Sequence, residues 1–157
     1  MGEKGKGIVE LNITDLINDL NRIYADEWLS LYLFWHAAQN ISGVENKHLK
    51  EFFLEVFSKD LNHSEILSKR IRALGGKTIY NPSEMIRIGN CSFPPSLDLK
   101  NKNNLVSSLL EYKRCLIEAY SRILKKCHGK DVVTYNIISE IIQDEVDQED
   151  ELEKMEV

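Results

Sequence analysis

Apolar residues recur at helical spacing through four long stretches of the chain. The first stripe runs Leu16, Ile17, Leu20, Ile23, Tyr24, Leu31, Phe34 and Ala38. Thr14 is its expected N-cap and Ser42-Gly43 its stop. The second stripe runs Leu49, Phe52, Phe53, Val56, Leu67, Ile71 and Leu74, and ends at Gly75-Gly76. The third runs Val106, Leu109, Leu110, Leu116, Ile117, Tyr120, Ile123 and Leu124, and stops at His128-Gly129. The fourth holds Thr134, Ile138, Ile141, Leu152 and Met155. The pattern predicts helices over about 14–41, 45–74, 104–127 and 131–155.

The first two helices are joined by a very short loop and so should lie antiparallel. Residues 75–103 break the pattern and hold all three prolines, with Asn81, Gly89 and Asn90. That is too long for a simple turn. Pro82-Ser-Glu-Met-Ile reads as a short helix. A crossover of this length lets the third helix run parallel to the second. The expected architecture is an all-α, antiparallel four-helix bundle, one domain over 1–157, with a long crossover between helices 2 and 3.

Polar residues interrupt every stripe near its middle. They are Glu27, then Asp60 with His63, then Lys113, then Glu145 with Gln148. Residues three apart share a helix face, so two of these interruptions are pairs. A charge buried there is costly unless something pairs with it. Four unrelated snorkelling side chains are one reading. Convergence on a metal ion is the other, since Asp/Glu-x-x-His is how helix bundles present a metal-binding pair. Glu111 lies off its stripe and should be exposed. Asp144, Asp147, Glu149, Asp150 and Glu151 read as a solvated acidic face. Trp28, Tyr32, Phe34 and Trp35 are more aromatics than one face needs, and some read as a subunit interface.

Composition narrows the function. The chain has 157 residues, 29% charged and 43% apolar, as in a soluble globular protein. A net charge of -5 argues against nucleic-acid binding. Met1 to Gly7 carries Lys4 and Lys6 but also Glu3, and reads as a frayed terminus rather than a DNA-binding tail. No run spans a bilayer and no signal-peptide pattern opens the chain. Three cysteines form no dense framework, so a reducing cytoplasm is expected.

Several segments carry a family resemblance. Leu20-Asn-Arg-Ile-Tyr-Ala-Asp-Glu27 resembles the first helix of the Dps-like ferritins, with its ligand Glu. These belong to the ferritin-like superfamily and share a bacterioferritin-type dimetal site. Lys59-Asp-Leu-Asn-His-Ser-Glu65 is similar to the second-helix Glu-x-x-His, with Asp for Glu. Asn81-Pro-Ser-Glu-Met-Ile-Arg-Ile-Gly-Asn-Cys91 resembles the connection. Arg114-Cys-Leu-Ile and Gly129-Lys-Asp-Val-Val-Thr-Tyr135 resemble the third helix and the turn after it. Asp144-Glu-Val-Asp-Gln148 resembles the fourth-helix Glu-x-x-His, with Gln for His.

The resemblance implies iron oxidation, iron storage and peroxide protection, with iron and peroxide or oxygen as substrates. It also implies a hollow shell of identical subunits. The sequence ends just after the fourth helix, which favours the twelve-subunit shell over the larger one. Two departures change the expectation: Lys113 stands at a third-helix Glu and Gln148 at the second His. One half-site, Glu27, Asp60, His63 and Glu145, stays intact. Three carboxylates face one ammonium, and one divalent ion brings the total to zero. One ion per subunit is expected, Fe first, with Zn or Mn as alternatives, and ferroxidase or peroxide-reducing activity reduced or altered. The rival expectation is no metal: Lys113 bridges the carboxylates in an inactive structural or assembly paralogue. Cys91 and Cys115 resemble the pair near the family's metal centre, which implies a disulfide or redox-active pair. With that pair, a mononuclear redox enzyme is a third option. Cys127 reads as structural, His36 and His48 as ordinary polar or interface residues, and Tyr120 as a candidate partner of the site.

Overall fold

Asn12, not Thr14, caps the first long helix: its side chain accepts from the backbone N–H of Asp15 at 3.0 Å. Two cap-type residues stand close together there, and the upstream one takes the role. The computed structural model describes residues 1–156. Its helices are α1 (Glu3–Gly7), α2 (Ile13–Asn40), α3 (Lys47–Ala73), α4 (Pro82–Ile88), α5 (Lys102–Cys127) and α6 (Val132–Met155). No strand occurs among the described residues. The second long helix begins later than its stripe suggests, because Val44–Asn46 form a 3-10 turn first. The third begins earlier, where Asn101 accepts from Asn104 N–H. At the first residues, Glu3–Gly7 make one helical turn with no buried side chain.

The bundle is two helical hairpins, α2–α3 and α5–α6. Lys126 at the end of α5 pairs with Asp19 at the start of α2 at 2.6 Å, so these helices are antiparallel. Arg70 at the end of α3 meets Asp131 at the start of α6, so those are antiparallel too. It follows that α5 runs parallel to α3, as the long crossover requires. Gly75 closes α3 at φ 92, a conformation that favours glycine. Gly76 packs so tightly on Ile17 that a Cβ would lie 2.7 Å from its Cγ2.

The crossover then climbs α2. Asn21 holds Ile79 N–H and Lys77 C=O at 2.8 and 2.9 Å. Higher up, the fully buried Asp26 accepts from Asn90 and Cys91 backbone N–H groups and from the Asn90 amide. Burial still pushes its pKa to about 6, against the pull of those bonds. A Cys91–Cys115 disulfide ties the crossover to α5.

The apolar stripes form one core, in which Leu20, Ile23, Phe53, Leu67, Ile71, Leu109 and Leu116 are fully buried. Each such side chain contributes about 1.5–3 kcal/mol by leaving water. Phe34 belongs to this core, edge-on to Phe53 at 5.6 Å, and not to an interface. Trp28, Tyr32 and Trp35 do remain exposed, Tyr32 by 55%. Arg70, Asp131 and Thr134 form a buried polar cluster at one end, with Arg70 Nη2 3.1 Å from both Asp131 oxygens. Among the described residues, no helix is long and apolar enough to cross a membrane.

Candidate metal centre

Of the six polar residues that interrupt the stripes, Glu27, Asp60, His63, Lys113 and Glu145 converge, and none of the six is more than 3% exposed. Glu27 comes from α2, Asp60 and His63 from α3, Lys113 from α5, and Glu145 and Gln148 from α6. Buried polar groups of this kind need partners. Most of them find one within the cluster.

Lys113 Nζ lies 2.9 Å from Asp60 Oδ1, 2.9 Å from Asp60 Oδ2 and 2.9 Å from Glu145 Oε2. Its three N–H donors thus meet three acceptors. The ammonium also sits 5.2 Å from the Phe34 ring centroid. Burial works against this charge, but Asp60 and Glu145 outweigh it and raise the Lys113 pKa. Asp60 Oδ2 accepts a further bond from Ser30 Oγ at 2.6 Å.

His63 faces two ways. Its Nε2 lies 2.8 Å from Asp144 Oδ2, whose residue is part-exposed. So Asp144 is not merely part of a solvated face. Its Nδ1 points inward, 3.1 Å from Glu145 Oε1 and 3.4 Å from Glu27 Oε1. Neither approach is aligned as a hydrogen bond. His63 Nδ1, Glu145 Oε1 and Glu27 Oε2 are all buried without a hydrogen bond. The other Glu27 oxygen accepts from the Tyr120 hydroxyl. Gln148 joins nothing: both its amide atoms are buried and unpartnered. Ligand atoms of Glu27, Asp60, His63 and Glu145 all lie within 4.8 Å of one another. One imidazole nitrogen and several carboxylate oxygens, convergent and partly unbonded, fit a divalent transition-metal ion.

The electrostatics fit two neutral states. Burial first, and then the charges of Glu145 and Asp60, raise the Glu27 pKa to about 8. Burial disfavours charged His63, but Glu145 and Glu27 hold its pKa up at about 11. Burial lifts Asp60 to about 6 against the pull of Lys113. Lys113 and His63 hold Glu145 below its usual range despite burial. Near neutral pH, protonated Glu27 with charged His63 and Lys113 balances Asp60 and Glu145. A divalent ion gives the same balance once Glu27 and His63 have lost their protons.

Three supporting residues escaped the sequence reading: Ser30, Asp144 and Asp26. Ser30 lies one turn past Glu27, and Asp144 immediately precedes Glu145. Those positions were their only signal. His36 stacks on Tyr32 outside the centre, and His48 is exposed. Cys127 is fully buried and free.

A family profile described as a ferritin-like domain matches residues 17–156. The chain belongs to the ferritin-like family. This ferritin-like chain is 27% identical over 152 residues to the DNA protection during starvation protein of Pyrococcus furiosus, covering 95% of the chain and 82% of that relative. The bacterioferritin-related protein of Bacteroides fragilis, described as a dodecameric thioferritin, superposes with a TM-score of 0.88 at 25% identity, over 93% of this chain and 86% of that one. Dps from Thermosynechococcus elongatus has a TM-score of 0.84 at 12% identity, over 92% and 91% of the two chains, and shows the shared fold. Within the family, the chain is similar to these Dps proteins in sequence and fold.

Each hairpin brings one of these residues from its first helix and an i, i+3 pair from its second: Glu27 with Asp60 and His63, and Lys113 with Glu145 and Gln148. Asp144, which holds His63, precedes Glu145; the residue that precedes Asp60 is Lys59. The α2–α3 hairpin thus carries Glu27, Lys59, Asp60 and His63, and the α5–α6 hairpin Lys113, Asp144, Glu145 and Gln148.

Proposed function

We propose that this chain is a Dps-like ferritin subunit that binds one divalent ion, iron foremost, within the group Glu27, Asp60, His63 and Glu145. Lys113 takes the place of a second ion. The observation that supports this most is the position of Lys113 Nζ, 2.9 Å from oxygens of both Asp60 and Glu145. A dimetal bundle uses such carboxylates between its two ions. An ammonium there supplies positive charge but no lone pair, so it neutralises without ligating.

The consequence for chemistry follows from electron count. A pair of Fe(II) ions gives two electrons to peroxide or oxygen, and a single Fe(II) gives one. Iron oxidation and storage, with protection against peroxide, is the role inferred here, with oxidation slower than at a paired centre. The Pyrococcus furiosus relative is named for protecting DNA during starvation, and the Bacteroides fragilis one is described as dodecameric. Assembly of this chain into a homo-oligomer, a shell of twelve subunits, is part of the same proposal. The exposed Trp28, Tyr32 and Trp35 are suited to contacts between subunits.

Substituting Lys113→Glu together with Gln148→His tests the proposal. The double variant should take up a second ion and oxidise Fe(II) faster than the parent. No gain in either would contradict the role given to these two residues. A second reading is a metal-free structural paralogue, and the neutral cluster formed by protonated Glu27 with charged His63 and Lys113 favours it. Metal analysis of protein purified without added metal separates the two.

A further inference from the structure

The four residues around the centre are not equivalent. Both Asp60 oxygens lie 2.9 Å from Lys113 Nζ, and Oδ2 also accepts from Ser30 at 2.6 Å. No Asp60 oxygen lacks a partner. By contrast, Glu27 Oε2, Glu145 Oε1 and His63 Nδ1 are buried and form no aligned hydrogen bond, with Nδ1 facing Oε1 of Glu145 at 3.1 Å. His63 Nδ1 is 3.9 Å from Asp60 Oδ1 but 3.1 Å from Glu145 Oε1. Asp60 is also one methylene shorter than a glutamate, which keeps its carboxylate close to its own helix. A buried acceptor without a bond is costly, and an ion would satisfy three such atoms at once. Those three come from three helices, α2, α3 and α6.

We infer that Ser30 and Lys113 divide this group: they hold Asp60 as a counter-ion, and the ion is bound by Glu27, His63 and Glu145 alone. The inference rests on the single-ion function proposed above. Ser30 is then a positioning residue. Its hydroxyl, one turn beyond Glu27 on α2, keeps Asp60 turned towards α5. Glu145 alone serves both parts, with Oε2 on Lys113 and Oε1 towards His63. Three protein donors leave further coordination positions to water or a small ligand, which is the pattern of reactive rather than structural sites. One imidazole and two carboxylates suit Fe(II), Zn(II) or Mn(II).

Three measurements test this. Zn(II) affinity, read by chelator competition, should stay within about threefold of the parent in Asp60→Asn/Lys113→Met, whereas loss of a true ligand's support costs about 10–100-fold. A loss of tenfold or more in that double variant would overturn the inference. In Co(II)-loaded protein, Ser30→Ala leaves Oδ2 held by Lys113 alone, so Asp60 can turn towards the ion, and the visible bands should weaken as coordination number rises. An unchanged spectrum would overturn the role of Ser30. In metal-free protein, Lys113→Met should lower the melting temperature and the added Asp60→Asn should restore most of it. Absence of that recovery would overturn the pairing. If the parent takes up neither Zn(II) nor Co(II), the functional proposal fails and the donor set with it, while the melting comparison still decides whether Asp60 belongs to Lys113.

Discussion

His63 Nε2 lies 2.8 Å from Asp144 Oδ2, and this leaves Nδ1 as the ring atom that faces Glu27 and Glu145. A carboxylate behind a ligating imidazole fixes its tautomer and raises its basicity. Asp144→Ala should therefore weaken Zn(II) binding by about 10–100-fold without unfolding the chain, because Asp144 is part-exposed. Asp144→Asn, whose amide oxygen still accepts, should keep most of the affinity. Chelator competition measures both.

Lys113 is fully buried between two carboxylates. Removing one member of a buried ion pair leaves uncompensated charge. Lys113→Met should cost about 3–5 kcal/mol in the metal-free protein, read by urea unfolding. Added Zn(II) should return part of that stability, because the ion supplies the missing charge.

The metal-free protein should lose stability as pH rises. His63 has a folded pKa of about 11 against an ordinary 6.5, so its contribution is complete below 6.5 and lost on approach to 11. Glu27, at about 8 against 4.5, favours the folded state while protonated, and that is lost as pH rises through 8. Both act in the same direction, so the melting temperature should fall from neutral pH to pH 11. Glu145, held low, acts oppositely and only on the acid side. Zn(II) uptake near pH 7 should release about two protons per ion, from Glu27 and His63, measurable by comparing binding heats in different buffers.

The Cys91–Cys115 disulfide closes a loop with a sequence separation of 24. Replacing both by Ser should cost about 2–4 kcal/mol in thermal unfolding. The Asp26 contacts to Asn90 and Cys91 should then hold the crossover only weakly.

Much of the fold was legible because helical stripes of Leu, Ile and Phe leave little choice of period. The six central residues were legible because each breaks its stripe where burial makes a charge costly. Asp144 was not, since nothing local separates it from Asp147, Glu149 or Glu151; only the long-range contact with His63 does. The Arg70–Asp131–Thr134 cluster joins helix ends far apart in sequence, and no local pattern marks it. Ser30 costs a helix too little to stand out. The path of the crossover along α2 depends on Asn21 and Asp26 side chains, and their periodicity carries no trace of it.

Lys113 as the stand-in for an ion is tested most directly by anaerobic titration of the metal-free protein with Fe(II), followed by metal analysis after removal of excess. One tightly held ion per chain is predicted. Two per chain in the unaltered protein would contradict it.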